Sequence, residues 1–281
     1  MEITRKIAIK SSHHNKPIVT DVIYKKNNLK KPVVIFCHGY KGYKDWGCWD
    51  LVAQKFAKEN HFFIKFNFSH NGGTFENPIG FSDLKAFGDN NFTIELNDLE
   101  DVIGCITAIN ECINEVDTSN IILIGHSRGG GIATIKASEN KNISKVISWN
   151  GVSDFGIRFP KREQLEHWKN EGVMYVLNGR TKQQMPHKYQ FYQDFKENEE
   201  RLTIKKAVEN LNKPQLIIAG THDEVVKPNE GEKMHLWNPK SELMLIDEMN
   251  HTLGSKHPWN EDALPIHLEK AVQKSIDFIA K

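Results

Sequence analysis

Four cysteines are few for a chain of 281 residues. Cys37, Cys48, Cys105 and Cys112 show neither a C-x-x-C pair nor zinc-ligand spacing, which excludes a disulfide framework and leaves free thiols of a reducing compartment as the expectation. Charge of one sign is also missing: 37 Lys plus Arg face 36 Asp plus Glu. Such balance gives no field for nucleic acid or an anionic membrane, and pairs such as Lys25-Lys26, Lys161-Arg162 and Lys205-Lys206 are scattered, as solvated surface is. No apolar run approaches spanning length, and Met-Glu-Ile-Thr-Arg-Lys at the N-terminus has no apolar h-region, so a soluble cytoplasmic protein is expected. The four N-x-S/T sequons, at Asn67, Asn91, Asn142 and Asn250, carry little meaning without secretion. Thirteen histidines raise metal chemistry, but H-E-x-x-H is absent, and no metal or cofactor is expected. Internal repeats and low-complexity segments are absent too.

What is present centres on Ile121 to Gly131, Ile-Ile-Leu-Ile-Gly-His-Ser-Arg-Gly-Gly-Gly. Four apolar residues, three of them β-branched, suit a strand buried on both faces, and Ile132 to Ser138 reads as the start of a helix. Between them Gly125-His126-Ser127-Arg128-Gly129 fits G-x-S-x-G, and strand, sharp turn and helix are the context that a nucleophile elbow requires. Serine there must adopt a strained backbone, and glycine at positions 125 and 129 lets strand and helix close on each other. Ser127 is the candidate nucleophile, and the backbone N–H of Arg128 can face a developing oxyanion. Taken alone, the pentapeptide also fits a glycine-rich phosphate-binding turn.

The rest of the chain alternates strand and helix. Residues 3–25 read as an antiparallel strand pair at a sheet edge, and Val33 to Cys37 as a buried strand. That strand runs into His38-Gly39-Tyr40-Lys41-Gly42, a loop able to aim the Tyr40 N–H into the site as a second oxyanion donor. The competing reading of His38 is a satisfied histidine in an ordinary turn. A helix is expected from Asp45 to Asn60, a strand from His61 to Phe68, a helix from Phe92 to Val116 and a strand from Ile143 to Trp149. Such alternation predicts a mainly parallel sheet with helices on both faces. Residues 154–212 break the rhythm. Rich in aromatics, with Asn178-Gly179 signalling a tight hairpin after Val173–Leu177 and charged helical sequence over 191–211, they read as a small lid inserted into one domain spanning 1–281.

Gln215 to Ala219 forms a strand followed by Gly-Thr-His-Asp-Glu, and Asp223 past its end suits the acid that orients a catalytic histidine, with Glu224 a poorer choice pointing the other way. Ser241 to Ile246 is the last strand, and His251 in the loop beyond it is the candidate general base. His257 is the fallback, and His222 and His235 are weaker. Residues 261–280 make an amphipathic closing helix.

With His-Gly-Tyr, Gly-His-Ser-Arg-Gly, Gly-Thr-His-Asp and Asn-His-Thr in this order, the chain resembles the α/β-hydrolase superfamily over roughly residues 30–255. His38-Gly39-Tyr40-Lys41-Gly42 and Asn67-Phe68-Ser69-His70-Asn71-Gly72 are similar to the cinnamoyl/feruloyl-esterase and dienelactone-hydrolase-like branch, with acylaminoacyl peptidases as relatives. The resemblance implies Ser127 as nucleophile, His251 as general base and then acid, Asp223 as its orienter, and Tyr40 and Arg128 as backbone oxyanion donors. Two features depart from the pattern: the first loop has no glycine run, as some lipases do, and Glu248-Met249-Asn250 precedes the histidine where small residues are common. The expected substrate is a small carboxylic ester, esters of aromatic acids included. An amide or peptide is the alternative within enzymes, and a non-catalytic ligand-binding fold the alternative outside them. A monomer or homodimer is expected.

Overall fold

The computed structural model describes residues 1–108 and 114–281. In chain order its elements are strands β1 (Glu2–Ile9), β2 (Ile18–Tyr24) and β3 (Lys31–Cys37), helix α1 (Trp49–Lys58), strand β4 (Phe62–Phe66), and helices α2 (Leu84–Asp89) and α3 (Phe92–Ala108). Strand β5 (Val116–His126), helix α4 (Arg128–Glu139) and strand β6 (Ile143–Trp149) follow. Then come helix α5 (Glu163–Glu171), the hairpin β7 (Val173–Leu177) and β8 (Gln184–Lys188), and helices α6 (Gln190–Glu197) and α7 (Ile204–Glu209). Strand β9 (Gln215–Gly220), helix α8 (Pro228–Trp237), strand β10 (Glu242–Ile246) and helix α9 (Ile266–Ile279) complete the chain.

Eight strands form one sheet in the order β1-β2-β4-β3-β5-β6-β9-β10. The pairs β1–β2 and β2–β4 are antiparallel, and every other pair is parallel. The expected edge pair and mainly parallel sheet are both there. Continuous apolar runs in β3 and β5 follow from burial on both faces. Val33, Ile35, Ile121 and Leu123 join a layer covered by α3, α4 and α7, whereas Val34, Phe36, Ile122 and Ile124 join a layer covered by α1 and α9. Each such side chain taken fully out of water contributes about 1.5–3 kcal/mol, so both layers stabilise the sheet that carries the site.

Several boundaries differ from the sequence expectation. Helix α1 starts at Trp49 rather than Asp45, because Gly47 at φ +58 breaks any helix before it, and Asn60 at φ 59 ends it. The helix expected over Phe92–Val116 ends, as far as it is described, at Ala108, and its later positions 109–113, with Cys112, lie outside the described residues. Val116 belongs to β5, which is 11 residues long and shifts register between Pro32 and Val33 of its neighbour. The charged run 191–211 makes two helices, not one. Asn178-Gly179 is no two-residue turn: β7 and β8 pair Leu177 with Gln184, leaving residues 178–183 as the loop, and Lys182, at φ 60, takes the left-handed conformation. The Asn178 side chain instead accepts the Arg180 N–H at 3.1 Å.

Facing residues of β2 and β4 carry a buried ion network. Asp21 and Lys65 are register partners with no exposed surface, and Lys44 and Lys65 reach Asp21 at 2.7 and 3.1 Å. Burial raises the Asp21 pKa, but the two ammonium groups outweigh it and hold the carboxyl at about 2. Asp45 pairs with both lysines and Asp50 with Lys65 and Arg5, so this carboxylate cluster is neutralised by protein cations. Cys37, Cys48 and Cys105 are free thiols. No helix among the described residues is long and apolar enough to cross a membrane.

Candidate active site

Four loops at the carboxyl ends of β3, β5, β9 and β10 converge, the location an open α/β sheet reserves for ligands. Ser127 stands between β5 and α4 at φ 56, ψ −121, a conformation that L-residues avoid. Glycine is required on both sides of it. A Cβ at position 125 would lie 2.1 Å from the Gly129 carbonyl oxygen, and one at position 129 would lie 2.3 Å from that of Cys37. The turn is held by bonds from the Ser127 N–H to the Trp149 carbonyl and from the Gly130 and Val152 N–H groups to the Ser127 carbonyl.

Three of the expected residues meet. His251 Nε2 accepts from the Ser127 hydroxyl at 3.0 Å, and His251 Nδ1–H donates to Asp223 Oδ2 at 2.7 Å. Asp223 is 3% exposed, and its other oxygen accepts the N–H groups of Val225 and Val226, both at 2.8 Å. This fixes the carboxylate towards the imidazole and the imidazole in its Nδ1–H tautomer. Glu224 is solvent-exposed on the neighbouring position. The other histidines are elsewhere: His222 beside Thr221, His235 on Ser241 and His257 accepting the Gly47 N–H at 3.0 Å.

Tyr40 and Arg128 flank Ser127, and the backbone N–H of neither forms a hydrogen bond with a described residue. His38 shapes the first of these loops. Its Nδ1–H donates to the Gly39 carbonyl at 2.9 Å and its Nε2 accepts the Phe68 N–H at 3.2 Å. Burial pushes it down to about 4, so it is neutral in this role. The satisfied-histidine reading therefore describes its bonding, while the loop it braces faces the serine.

Residues that sequence reasoning did not single out hold the site in place. His126, the first variable residue of the pentapeptide, donates through Nε2–H to the His251 carbonyl at 2.8 Å. Asn150, at the end of β6, donates to the same carbonyl at 3.1 Å and to that of Asn250 at 3.0 Å, while its Oδ1 accepts the Gly220 N–H. The loops after β5, β6, β9 and β10 are thus bonded together. The positive φ of Asn150 (45°) is not readable from sequence, but its place before Gly151 at a strand end was a signal.

The Arg128 side chain packs among aromatic rings. It lies 4.5 Å from the Tyr40 ring, 5.2 Å from Phe191 and 5.4 Å from Phe92, and ion-pairs with buried Glu95 at 3.2 Å. Burial raises the Glu95 pKa against the opposing pull of Arg128. Around this group opens a cavity of about 280 Å³ reaching Ser127. Phe155, Phe159, Trp168 and Phe191 of the 154–212 segment line it, together with Phe92 and Met174. Tyr175 is instead exposed, and Phe195 is packed in the core. The aromatics of this segment therefore divide between wall and glue.

Comparison with known proteins agrees with this architecture. The prolyl oligopeptidase family matches residues 88–256. A Mycoplasma genitalium protein classed provisionally as esterase/lipase 2 is 25% identical over 260 residues, covering 83% of this chain and 87% of that one. Among solved structures, Est1E from Butyrivibrio proteoclasticus with ferulic acid bound is similar at a TM-score of 0.69 and 18% identity, with 98% of this chain and 100% of that chain covered. Dienelactone hydrolase from Anabaena variabilis has a TM-score of 0.63 at 14% identity, covering 99% and 97%. At such identities these two likenesses speak for the fold, which is that of the α/β-hydrolases. With more than half of its 281 residues inside the matched region, the chain belongs to the prolyl oligopeptidase family.

Proposed function

We propose that the protein is a serine hydrolase that cleaves small carboxylic esters, including esters of aromatic acids, through an acyl-enzyme on Ser127. The observation that carries this reading is the chain of contacts from Ser127 Oγ to His251 Nε2 at 3.0 Å and from His251 Nδ1 to Asp223 at 2.7 Å. His251 takes the hydroxyl proton as Ser127 Oγ attacks the carbonyl carbon, and Asp223 stabilises the imidazolium that forms. The oxyanion rests on the N–H groups of Tyr40 and Arg128. His251 then protonates the leaving oxygen, the alcohol departs, and water activated by the same imidazole releases the acid. Loss of one such donor typically costs ~10²–10³ in rate. The aromatic wall beside Ser127 supports an aromatic acyl group, as does the likeness to a protein that binds ferulic acid.

A second reading, hydrolysis of an amide or peptide of the acylaminoacyl type, is favoured by membership of the prolyl oligopeptidase family. The deciding experiment is treatment with a fluorophosphonate followed by peptide-level mass spectrometry, then a matched pair of ester and anilide. A single stoichiometric adduct on Ser127, lost in His251→Ala, with faster turnover of the ester, is the expected result. An adduct with faster anilide turnover selects the second reading. No adduct on folded protein overturns both and leaves a ligand-binding fold.

A further inference from the structure

Ser127 lies between two cavities, and the chemistry assigns one to each side of the scissile bond. His251 must deliver its proton to the leaving oxygen, so that oxygen has to come within hydrogen-bond reach of Nε2. The cavity of about 280 Å³ around Arg128 and the aromatic wall does not include His251 and takes the acyl group. A second cavity, of about 190 Å³, is lined by Ser127 and His251 and takes the alcohol.

The alcohol cavity has a definite charge. Lys41 and Arg180 line it, and no aspartate or glutamate does. Arg180, from the loop joining β7 to β8, donates to the Lys41 carbonyl at 2.7 Å and packs 5.3 Å from the centre of the Trp46 ring. Lys41 Nζ donates in turn to the Leu177 carbonyl at 3.2 Å. Neither cation has a carboxylate partner among the described residues; burial lowers the pKa of both, Arg180 lowers that of Lys41 further, and a hydrogen bond with Tyr43 opposes the shift of Arg180. Lys145 and Lys213, away from the site, likewise donate only to backbone carbonyls, but several cations of this chain are paired with carboxylates. Arg128 has Glu95, Arg158 has Glu230 at 2.6 Å, Lys31 has Glu115, and Lys44 has Asp21 and Asp45. Two cations without a carboxylate, at the wall where the alcohol must sit, suit an anion, and a guanidinium fork matches a carboxylate.

We infer that the alcohol moiety of the substrate carries a carboxylate, received by Lys41 and Arg180 beside the leaving oxygen. The inference rests on the acyl-enzyme reading above and adds a substrate class to it. Since Arg180 is solvent-exposed, the selectivity is modest and salt-dependent: about fivefold at low ionic strength, shrinking in high salt.

The test uses two nearly isosteric esters, the acetyl esters of 3-hydroxybenzoate and 3-hydroxybenzamide, which differ in the charge of the leaving group. The quantity read is the ratio of kcat/KM on the anionic ester to that on the neutral one, in wild type, Arg180→Gln and Arg180→Glu, at low and high salt. The expected ratio is about fivefold in wild type, near one in Arg180→Gln and below one in Arg180→Glu, with the wild-type preference compressed by salt. If Arg180 only ties the hairpin to the loop after β3, its replacement lowers both rates together and leaves the ratio unchanged, which overturns the inference. A wild-type ratio of one or less overturns it as well. Turnover of neither ester overturns the acyl-enzyme reading itself, a different result from turnover without charge selectivity.

Discussion

The ring Nε2 of His126 donates to the backbone carbonyl of His251 at 2.8 Å, so one imidazole braces the loop that carries another. Burial, with the nearby His251, pushes His126 down to about 3, keeping it neutral and its single N–H committed to this bond. The two rings sit 5.0 Å apart, close enough that a charged His126 would oppose protonation of His251.

His126 is therefore a positioning residue. Replacing it by alanine removes one of the two donors to the His251 carbonyl and leaves Asn150 as the other. A hydrogen bond of this kind contributes about 0.5–1.5 kcal/mol, so kcat should fall roughly 2- to 10-fold with KM nearly unchanged. The rate of fluorophosphonate labelling of Ser127 should fall in parallel. An unchanged labelling rate would show that the brace is dispensable.

Ser127→Gly should abolish ester hydrolysis and yet raise stability. At φ 56, ψ −121 the serine carries backbone strain of about 1–3 kcal/mol, which glycine relieves, partly offset by glycine's greater chain entropy and the lost bond to His251. A gain of about 1 kcal/mol in urea unfolding, with Ser127→Ala showing none of it, is the expected result. Equal stabilities for both variants would contradict strain at this position.

Asp223→Asn should cost far more activity than Glu224→Gln. Asp223 accepts the His251 Nδ1–H at 2.7 Å and is held by two backbone N–H groups, whereas Glu224 is exposed. An amide in place of the carboxylate stabilises the wrong tautomer, for which losses on the order of 10⁴ in kcat are the precedent. Steady-state kinetics of the two variants on one ester decide it, and the reverse ranking would remove Asp223 from the mechanism.

Acid should destabilise the fold well before the carboxylates titrate. Burial lowers His126 and His187 to about 3, and His38 and His70 to about 4; His187 is further lowered by Arg128 and His70 by His14. In the unfolded chain each imidazole takes a proton near pH 6.5, while in the folded protein it stays neutral to about pH 4 or below. Between these limits the unfolded state binds more protons, so stability falls as pH drops from about 6.5 towards 4. His14, its pKa raised by Asp98, and the carboxyls of Glu95, Asp98 and Asp194, raised by burial, oppose this, whereas His61 and His257, lowered by burial, add to it. Asp21, held at about 2, adds to the loss only below about pH 4. Urea midpoints measured from pH 7.5 to 4.5 should decline through this window. A flat profile would mean that these histidines are protonated in the native protein.

The sheet was legible because two-sided burial leaves an unmistakable pattern. Val33 to Cys37 and Ile121 to Ile124 are apolar without alternation because both faces are covered, and the glycines at 125 and 129 announce the close approach of α4 to β5. Short elements without strong periodicity, α2 and α8 among them, were not read, and Asn178-Gly179 misled because the hairpin loop runs six residues, not two.

Sequence by itself determined the order of the parts: an elbow serine after a central strand, an acid after the next-to-last strand, a histidine after the last. Local chemistry suffices for that, since strand, turn and glycine signals act between neighbours along the chain. Only the tertiary structure decided which groups meet. His126 reaching a carbonyl 125 residues away, Arg128 turning to Glu95 and three aromatic rings, and Arg180 standing opposite Lys41 are contacts across loops from different strands. They depend on how far each β-strand carries its loop and on which face it emerges, and no local pattern encodes a distance between elements that are far apart in the chain.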